Sequence, residues 1–157
     1  MSSTTDSKPL LLRLCRFLRR PWRDQWLFIQ AYLLLGLARL AINVLPFPRL
    51  GGHLGTPRVE SPAEVPLPHL VEARRVARVV RSASRYTPWK SNCFPQAIAA
   101  KVLLRQLGIQ STLYLGAAFK ARTEMEAHAW LRCGSLYVTG GKGDQNFGTV
   151  GIFGEIW

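Results

Sequence analysis

The sequence is poor in acidic residues and in cysteine. Asp and Glu number 9 against 21 Lys and Arg, so the formal net charge is +12, which favours acidic or phosphate-bearing partners. Cys15, Cys93 and Cys133 are too scattered for a disulfide framework, and no Cys-x-x-Cys spacing predicts a metal site. We therefore expect no metal, no structural disulfide and a reducing, cytoplasmic setting.

Repeats and low-complexity tracts are also lacking, and a hydrophobic content of 48% over 157 residues excludes a disordered chain. The long apolar stretch begins only at Trp26, behind a basic segment, and no small-residue cleavage site follows it cleanly. Because a secretory signal places its apolar region earlier, we do not expect a signal peptide.

Residues 26–47 are strongly apolar, but Gln30, Arg39 and Asn43 interrupt them before the roughly 20 apolar residues of a membrane span are reached. The pattern predicts a helix that is apolar on all sides and buried in this protein or in a partner. Just ahead, arginines alternate with leucines, a pattern that suits an anionic membrane surface and equally a solvated helix face. Membrane association through residues 10–47 is left open.

Proline positions divide the first half of the chain. We predict helices at 9–19 and 22–45, with Pro21 starting the second. Most of the ten prolines fall in residues 46–68, which predicts an irregular connection. A basic-faced, exposed helix is expected over 68–84. The sequence thus divides into an N-terminal helical segment with its proline-rich connection, 1–65, and a second domain, 66–157.

The second half predicts one helix followed by an antiparallel meander, and hence an α+β fold. Ser91 or Asn92 starts the helix, Leu107 ends it, and Gly108 follows as the stop signal. A two-residue turn at 134–135 would pair Leu131 with Val138, Arg132 with Tyr137 and Trp130 with Thr139. The expected strands cover residues 110–117, 127–132, 136–139 and 149–153.

Two residues of this half suit nucleophilic catalysis. Cys93 lies at the start of the predicted helix, where unpaired N–H groups and the helix dipole stabilise a thiolate. His128 lies on a following strand and can accept the thiol proton and return it to a leaving amine. This order, a cysteine on a helix and then a histidine on an antiparallel strand, is that of a minimal papain-like site.

Structural roles remain open for both residues. A cysteine near a helix start is often a small buried side chain, and a strand histidine is often a hydrogen-bonded structural group. Neither Cys15 nor Cys133 has a position that suggests chemistry, so both are interpreted as structural. His53 and His69 lie in proline-rich, loop-like surroundings and are interpreted in the same way.

The run Asn92-Cys93-Phe94-Pro95-Gln96-Ala97, with Leu107-Gly108-Ile109, Leu115-Gly116 and Ala127-His128-Ala129-Trp130, resembles the lasso-peptide leader peptidases. These belong to the transglutaminase-like group of papain-fold cysteine proteases. The resemblance covers about residues 70–157 closely, and the 26–47 segment also resembles the front half of stand-alone members. It implies cleavage of the leader from a ribosomally made precursor, with Cys93 as nucleophile and His128 as base.

The sequence departs from the family at the third catalytic position. The family has an aspartate about a dozen residues after the histidine, and here that stretch reads Val138-Thr139-Gly140-Gly141. Asp144 in the following loop is one candidate to orient the imidazole. Thr139 and a backbone carbonyl are neutral alternatives.

The resemblance also implies partners. Because residues 1–65 lack a strand-rich recognition module, we expect a separate precursor-recognition protein, besides the precursor peptide and the lasso cyclase. No cofactor is expected, and a nucleotide requirement stays open. A non-catalytic, membrane-associated scaffold is the alternative function. Nucleic-acid binding is disfavoured, because the arginines lie on amphipathic helices without an aromatic stacking platform.

Overall fold

A computed structural model describes residues 10–121, 124–141 and 147–157. In these ranges the chain forms five helices and five strands, which confirms the predicted α+β class. The helices are α1 (Leu10–Leu18), α2 (Trp22–Val44), α3 (Phe47–Leu54), α4 (Leu67–Ser84) and α5 (Cys93–Gln106). The strands are β1 (Thr56–Pro57), β2 (Thr112–Ala121), β3 (Glu124–Cys133), β4 (Leu136–Thr139) and β5 (Gly148–Gly154).

The strands form one antiparallel sheet in the order β1-β5-β2-β3-β4. The hairpin of β2 and β3 lies at its centre and pairs Gly116 with His128. The next hairpin pairs Arg132 with Tyr137 as predicted, but Leu131 pairs with Thr139, so the predicted partners of Leu131 and Trp130 are wrong. The prediction requires a regular ladder, whereas an irregularity after Leu131 leaves Val138 without a partner in the ladder.

The helices α4 and α5 cover one face of this sheet, and α2 packs on these two helices, so that all three share a single core with the sheet. Alanines on all three helices keep the helix surfaces shallow, so that the aliphatic side chains of the sheet and helices interlock. Residues from both sides of position 65 enter this core, and the proposed division of the sequence there stays a prediction. The core includes Leu27, Ala31, Leu35, Leu54, Ala73, Val76, Val80, Ala97, Ala100, Leu103, Leu104, Leu113, Ala129, Leu131, Cys133 and Val138.

The proline-rich connection is more regular than predicted. Helix α3 begins directly after Pro46 and carries Pro48 in its first turn, where no intrahelical N–H donor is needed. Its Leu50 and Leu54 are buried, and the short strand β1 then pairs with β5. The prolines here start a helix instead of preventing one, so the prediction of an irregular segment over 46–68 is wrong for residues 47–54.

Helix α2 has two apolar faces with different surroundings. Leu27, Ala31, Leu35 and Ala38 are buried against the core. The opposite side is exposed in this chain, so the helix is not buried on all sides within the protein, and burial of that side against a partner stays a prediction. By length and composition alone α2 could cross a membrane, with a mean hydropathy of 1.7, although the core helix of a soluble protein meets the same criterion.

Candidate active site

Cys93 is the first residue of α5. Asn92 occupies the N-cap position, but its side chain makes no capping hydrogen bond. The first N–H groups of the helix therefore do not donate to the Asn92 side chain. The entry to the helix is fixed instead by Gln96, whose Nε2 donates to the Ser91 carbonyl at 2.7 Å. The Cys93 side chain is half-buried and packs against the edge of the core. The local fold thus holds the thiol at a helix N-terminus, as predicted from its spacing.

His128 lies on β3 beside Gly116 of β2. Its Nε2 is 2.8 Å from the carbonyl oxygen of Gly140. Because a carbonyl can only accept, Nε2 must carry the proton, which leaves Nδ1 as the basic nitrogen of the neutral ring. The imidazole also stacks on Phe147, with ring centroids 4.9 Å apart, and on Trp130 at 6.0 Å. These contacts fix the ring plane and the tautomer together.

Gly140 can supply this carbonyl because it is a glycine. Its φ is +78°, in the left-handed region that residues with a side chain rarely adopt. A Cβ there would lie 2.7 Å from Trp130 Cβ and would also meet the Ala129 carbonyl oxygen. The backbone therefore approaches β3 closely enough for its carbonyl to reach the imidazole.

The other candidate orienting groups differ in position. Thr139 is 6% exposed, and its Oγ1 has no hydrogen-bond partner among the described residues, so it does not hold the imidazole. Asp144 lies outside the described residues. In the part of the chain that the structure describes, the group bonded to His128 is a backbone carbonyl, one of the two neutral alternatives expected. Only the Gly140-Gly141 pair in the sequence indicated a close backbone approach here.

The thiol and the imidazole come from different layers of the fold. Helix α5 packs on β2, β3 and β4, and side chains of β3 alternate between the two sheet faces. Ala129 and Leu131 enter the core with α5, so His128 and Trp130 belong to the opposite face. Among the described residues no hydrogen bond joins Cys93 Sγ to the His128 ring. Proton transfer between them requires the two side chains to approach from this arrangement.

The remaining cysteines and histidines lie elsewhere. Cys133 is buried, and burial raises the pKa of its thiol, whereas Cys15 is exposed on α1. His53 lies in the last turn of α3 and His69 in the first turn of α4. Within the described ranges no three His, Cys, Asp or Glu side chains cluster as a metal site would require.

One buried ionic group was not predicted from the sequence. Lys101 of α5 is 2% exposed, and its Nζ donates to the Ser111 carbonyl at 2.9 Å and lies 3.5 Å from Glu155. Burial lowers the pKa of Lys101 to about 8, although Glu155 opposes the shift. Arg105 also pairs with Glu155. A lysine among alanines and leucines of a helix gives no sign in sequence that it faces inward.

A family model described as the transglutaminase-like superfamily matches residues 36–151, a span that contains both Cys93 and His128. The chain belongs to this superfamily, and its fold is consistent with that of a cysteine peptidase. No curated protein matches the chain, and no solved structure does.

Proposed function

We propose that this protein is a cysteine peptidase that removes the leader segment from a ribosomally made lasso-peptide precursor. Membership of the transglutaminase-like superfamily supports the peptidase class. The observation that carries the assignment is the position of Cys93. It is the first residue of α5, at the helix N-terminus, and it lies within the span matched by the family model. The leader-peptidase role extends the family assignment through the motif around Cys93 and His128.

The proposed reaction needs a rearrangement that brings the His128 ring to Cys93, because the two side chains belong to different sides of the sheet. Once they are in contact, Cys93 Sγ attacks the scissile carbonyl carbon and His128 Nδ1 takes the thiol proton. The tetrahedral intermediate collapses to a thioester as the imidazolium returns that proton to the leaving amine. Water, deprotonated by the same nitrogen, then hydrolyses the thioester and restores the thiol. The Gly140 carbonyl keeps Nε2 protonated throughout, but a neutral acceptor stabilises the imidazolium less than a carboxylate would.

The substrate end of the proposal uses charge. Arg74, Arg78 and Arg81 are exposed on α4 and would attract acidic leader residues over several ångströms of solvent. A separate recognition protein would present the leader, and a cyclase would use the freed core peptide.

Co-expression with the neighbouring precursor and recognition partner, analysed by mass spectrometry, tests this function. We expect cleaved precursor with the unaltered chain and none with Cys93→Ala, because the nucleophile is gone. Cys15→Ala, a change at an exposed thiol of α1, is the matched control and should cleave normally. Cleavage by Cys93→Ala would reject the proposal.

A non-catalytic scaffold is the second candidate, and the missing hydrogen bond between Cys93 and His128 favours it. Iodoacetamide labelling of the folded protein separates the two functions, because only a thiolate is alkylated rapidly. A nucleophilic Cys93 should react faster than the freely exposed Cys15 at neutral pH. Labelling of Cys93 that is slower than that of Cys15, together with intact precursor, would support the scaffold.

A further inference from the structure

The side of α2 that faces away from the core is a continuous apolar surface. Its residues follow one another at intervals of three or four, so they form one stripe along the whole helix. Each is between 43% and 74% exposed, on a helix whose other side is packed. We call this stripe the α2 outer face; it consists of Trp22, Trp26, Ile29, Leu33, Leu37, Leu40 and Val44.

The preceding helix α1 continues this apolar character. Leu11, Leu14 and Leu18 share one side of α1 by their spacing and are 53% to 72% exposed. The helix is nevertheless held in place: Phe17 packs edge-on against Phe28 of α2, with centroids 5.1 Å apart. Its leucines therefore stay in solvent although α1 is anchored to the domain.

Basic side chains surround this surface at one end. Five exposed arginines lie between residues 13 and 23, and none of them pairs with an acidic group among the described residues. Asp24, the nearest acidic residue, is already bound by Arg75, whose Nε lies 2.6 Å from Asp24 Oδ1. We call this group the arginine cluster; it consists of Arg13, Arg16, Arg19, Arg20 and Arg23.

We propose that the α2 outer face and the leucines of α1 dock this protein on an anionic lipid bilayer, with α2 lying in the plane of the interface. The arginine cluster and the net charge of +12 attract anionic headgroups and oppose a second copy of this chain. Trp22 and Trp26, beside the cluster, are residues that prefer the headgroup level.

The buried side of α2 argues for the in-plane orientation. A helix that crossed the bilayer would have to expose Leu27, Ala31 and Leu35 to lipid and withdraw them from the core. It would also break the Asp24–Arg75 ion pair with α4. Docking by the outer face alone leaves all of these contacts intact. This inference does not depend on the chemistry proposed for Cys93.

Vesicle flotation of the full chain tests the proposal. Phosphatidylcholine vesicles containing phosphatidylglycerol should carry the protein, and vesicles of phosphatidylcholine alone should carry much less. The double variant Leu33→Gln/Leu37→Gln should lower the affinity for these vesicles about tenfold or more, because it removes apolar surface that the bilayer would bury. Leu67→Gln/Val71→Gln, at exposed positions of α4, is the matched control and should float like the unaltered chain.

The other outcomes overturn the proposal. Equal flotation with both lipid compositions would show that the arginine cluster does not contribute to binding. No flotation with either composition would show that the protein does not bind membranes. Protein that resists alkaline carbonate extraction would indicate a spanning helix, since an in-plane helix is released. A concentration-dependent dimer that Leu33→Gln/Leu37→Gln disrupts, without vesicle binding, would assign the surface to a second copy.

Discussion

The sheet face that meets α4 and α5 is lined by close-packed aliphatic side chains, whereas the opposite face carries aromatic rings and hydrogen-bonded polar groups. On the helix side Ala129 and Leu131 lie in the hydrophobic core. On the other side Trp130 stacks on Tyr114 at 5.5 Å, and Arg132 donates to Tyr114 Oη and to the Ser61 carbonyl. The first face is stabilised by close packing of side chains, and the second by directional contacts, namely ring stacking and hydrogen bonds.

This difference bears on the candidate site, because the two proposed catalytic residues belong to different sides. Cys93 packs against the aliphatic core, and His128 belongs to the stacked and hydrogen-bonded face. A substitution in the core should therefore affect Cys93 by lowering the stability of the fold. A substitution on the other face should change the orientation of the His128 ring and leave the fold largely intact.

The largest effect is expected on the helix side. Leu131 is fully buried, so Leu131→Ala removes its apolar contacts and leaves a cavity, at a cost of about 2–5 kcal/mol in the free energy of unfolding. Urea denaturation measures this change. Leu40→Ala is the matched control on the exposed side of α2, and it should change stability by less than about 0.5 kcal/mol. Equal effects would show that the core is not close-packed.

The second prediction concerns the charged exception in the helix layer. The pKa of Lys101 is lowered by burial from its ordinary value of 10.5 to about 8. Between these values the unfolded chain binds the proton and the folded chain releases it, so stability rises with pH, by up to about 1.4 kcal/mol per pH unit. Below pH 8 both states are protonated and the slope vanishes.

Lys101→Met isolates this effect. Burial raises the pKa of Tyr114 and of Cys133, so the contribution of these two groups to stability falls as pH rises. Both the unaltered chain and the variant contain them, so their contribution cancels when the two stabilities are subtracted. The stability of the unaltered chain minus that of Lys101→Met should be flat up to about pH 8 and then rise toward pH 10.5. A difference that falls over that window would contradict the burial of an amine.

The third prediction tests how geometry holds the face that carries His128. Gly140 and Gly141 both have positive φ, +78° and +62°, so alanine strains either backbone. Only at Gly140 does the added Cβ meet β3, and at Gly141 nothing lies within 4 Å. Gly140→Ala should therefore cost about 2 kcal/mol more than Gly141→Ala by thermal denaturation.

The same pair distinguishes an effect on orientation from an effect on folding. Below the melting temperature of both variants, Gly140→Ala should also slow cleavage, because the displaced carbonyl no longer fixes the His128 tautomer. Gly141→Ala should cleave at nearly the normal rate. Equal cleavage by both would show that the bond from His128 to Gly140 is structural only.

The elements of the second half could be predicted because each was specified locally. Gly108 follows the last turn of α5, and alternating residues define β3, so the helix and the strands lie close to their predicted positions, although β2 continues to Ala121 and β3 begins already at Glu124. The register of β3 against β4 could not be predicted in full, since the irregularity after Leu131 depends on Val138 packing into the core. For the same reason α3 was missed: its buried Leu50 and Leu54 find their partners in tertiary structure.

For the site, Cys93 and His128 were found from residue type and spacing, and their roles stay predictions. The acceptor of the His128 N–H could not be found in this way, because every residue has a backbone carbonyl and the residue type does not indicate which of them accepts. The exposure of α2 is a third case: a helix apolar on all sides has the same composition whether its second face meets protein, lipid or solvent. Only its packing against α4 and α5 shows which face is covered.

The smallest effect is expected where the polar face joins the segment before α4. Thr112 is fully buried, and its Oγ1 accepts the Ser61 N–H at 2.8 Å and lies 2.6 Å from Ser61 Oγ. Thr112→Val keeps the volume but leaves both Ser61 groups without a partner, which should cost about 1–2 kcal/mol. Ser111→Ala is the control, because Ser111 Oγ is buried without a hydrogen-bond partner in the part of the chain that the structure describes, and its removal should be neutral or stabilising. Amide exchange at Ser61 should quicken only in Thr112→Val; unchanged protection there would mean that the ring stacks, not the buried hydroxyl, hold this face.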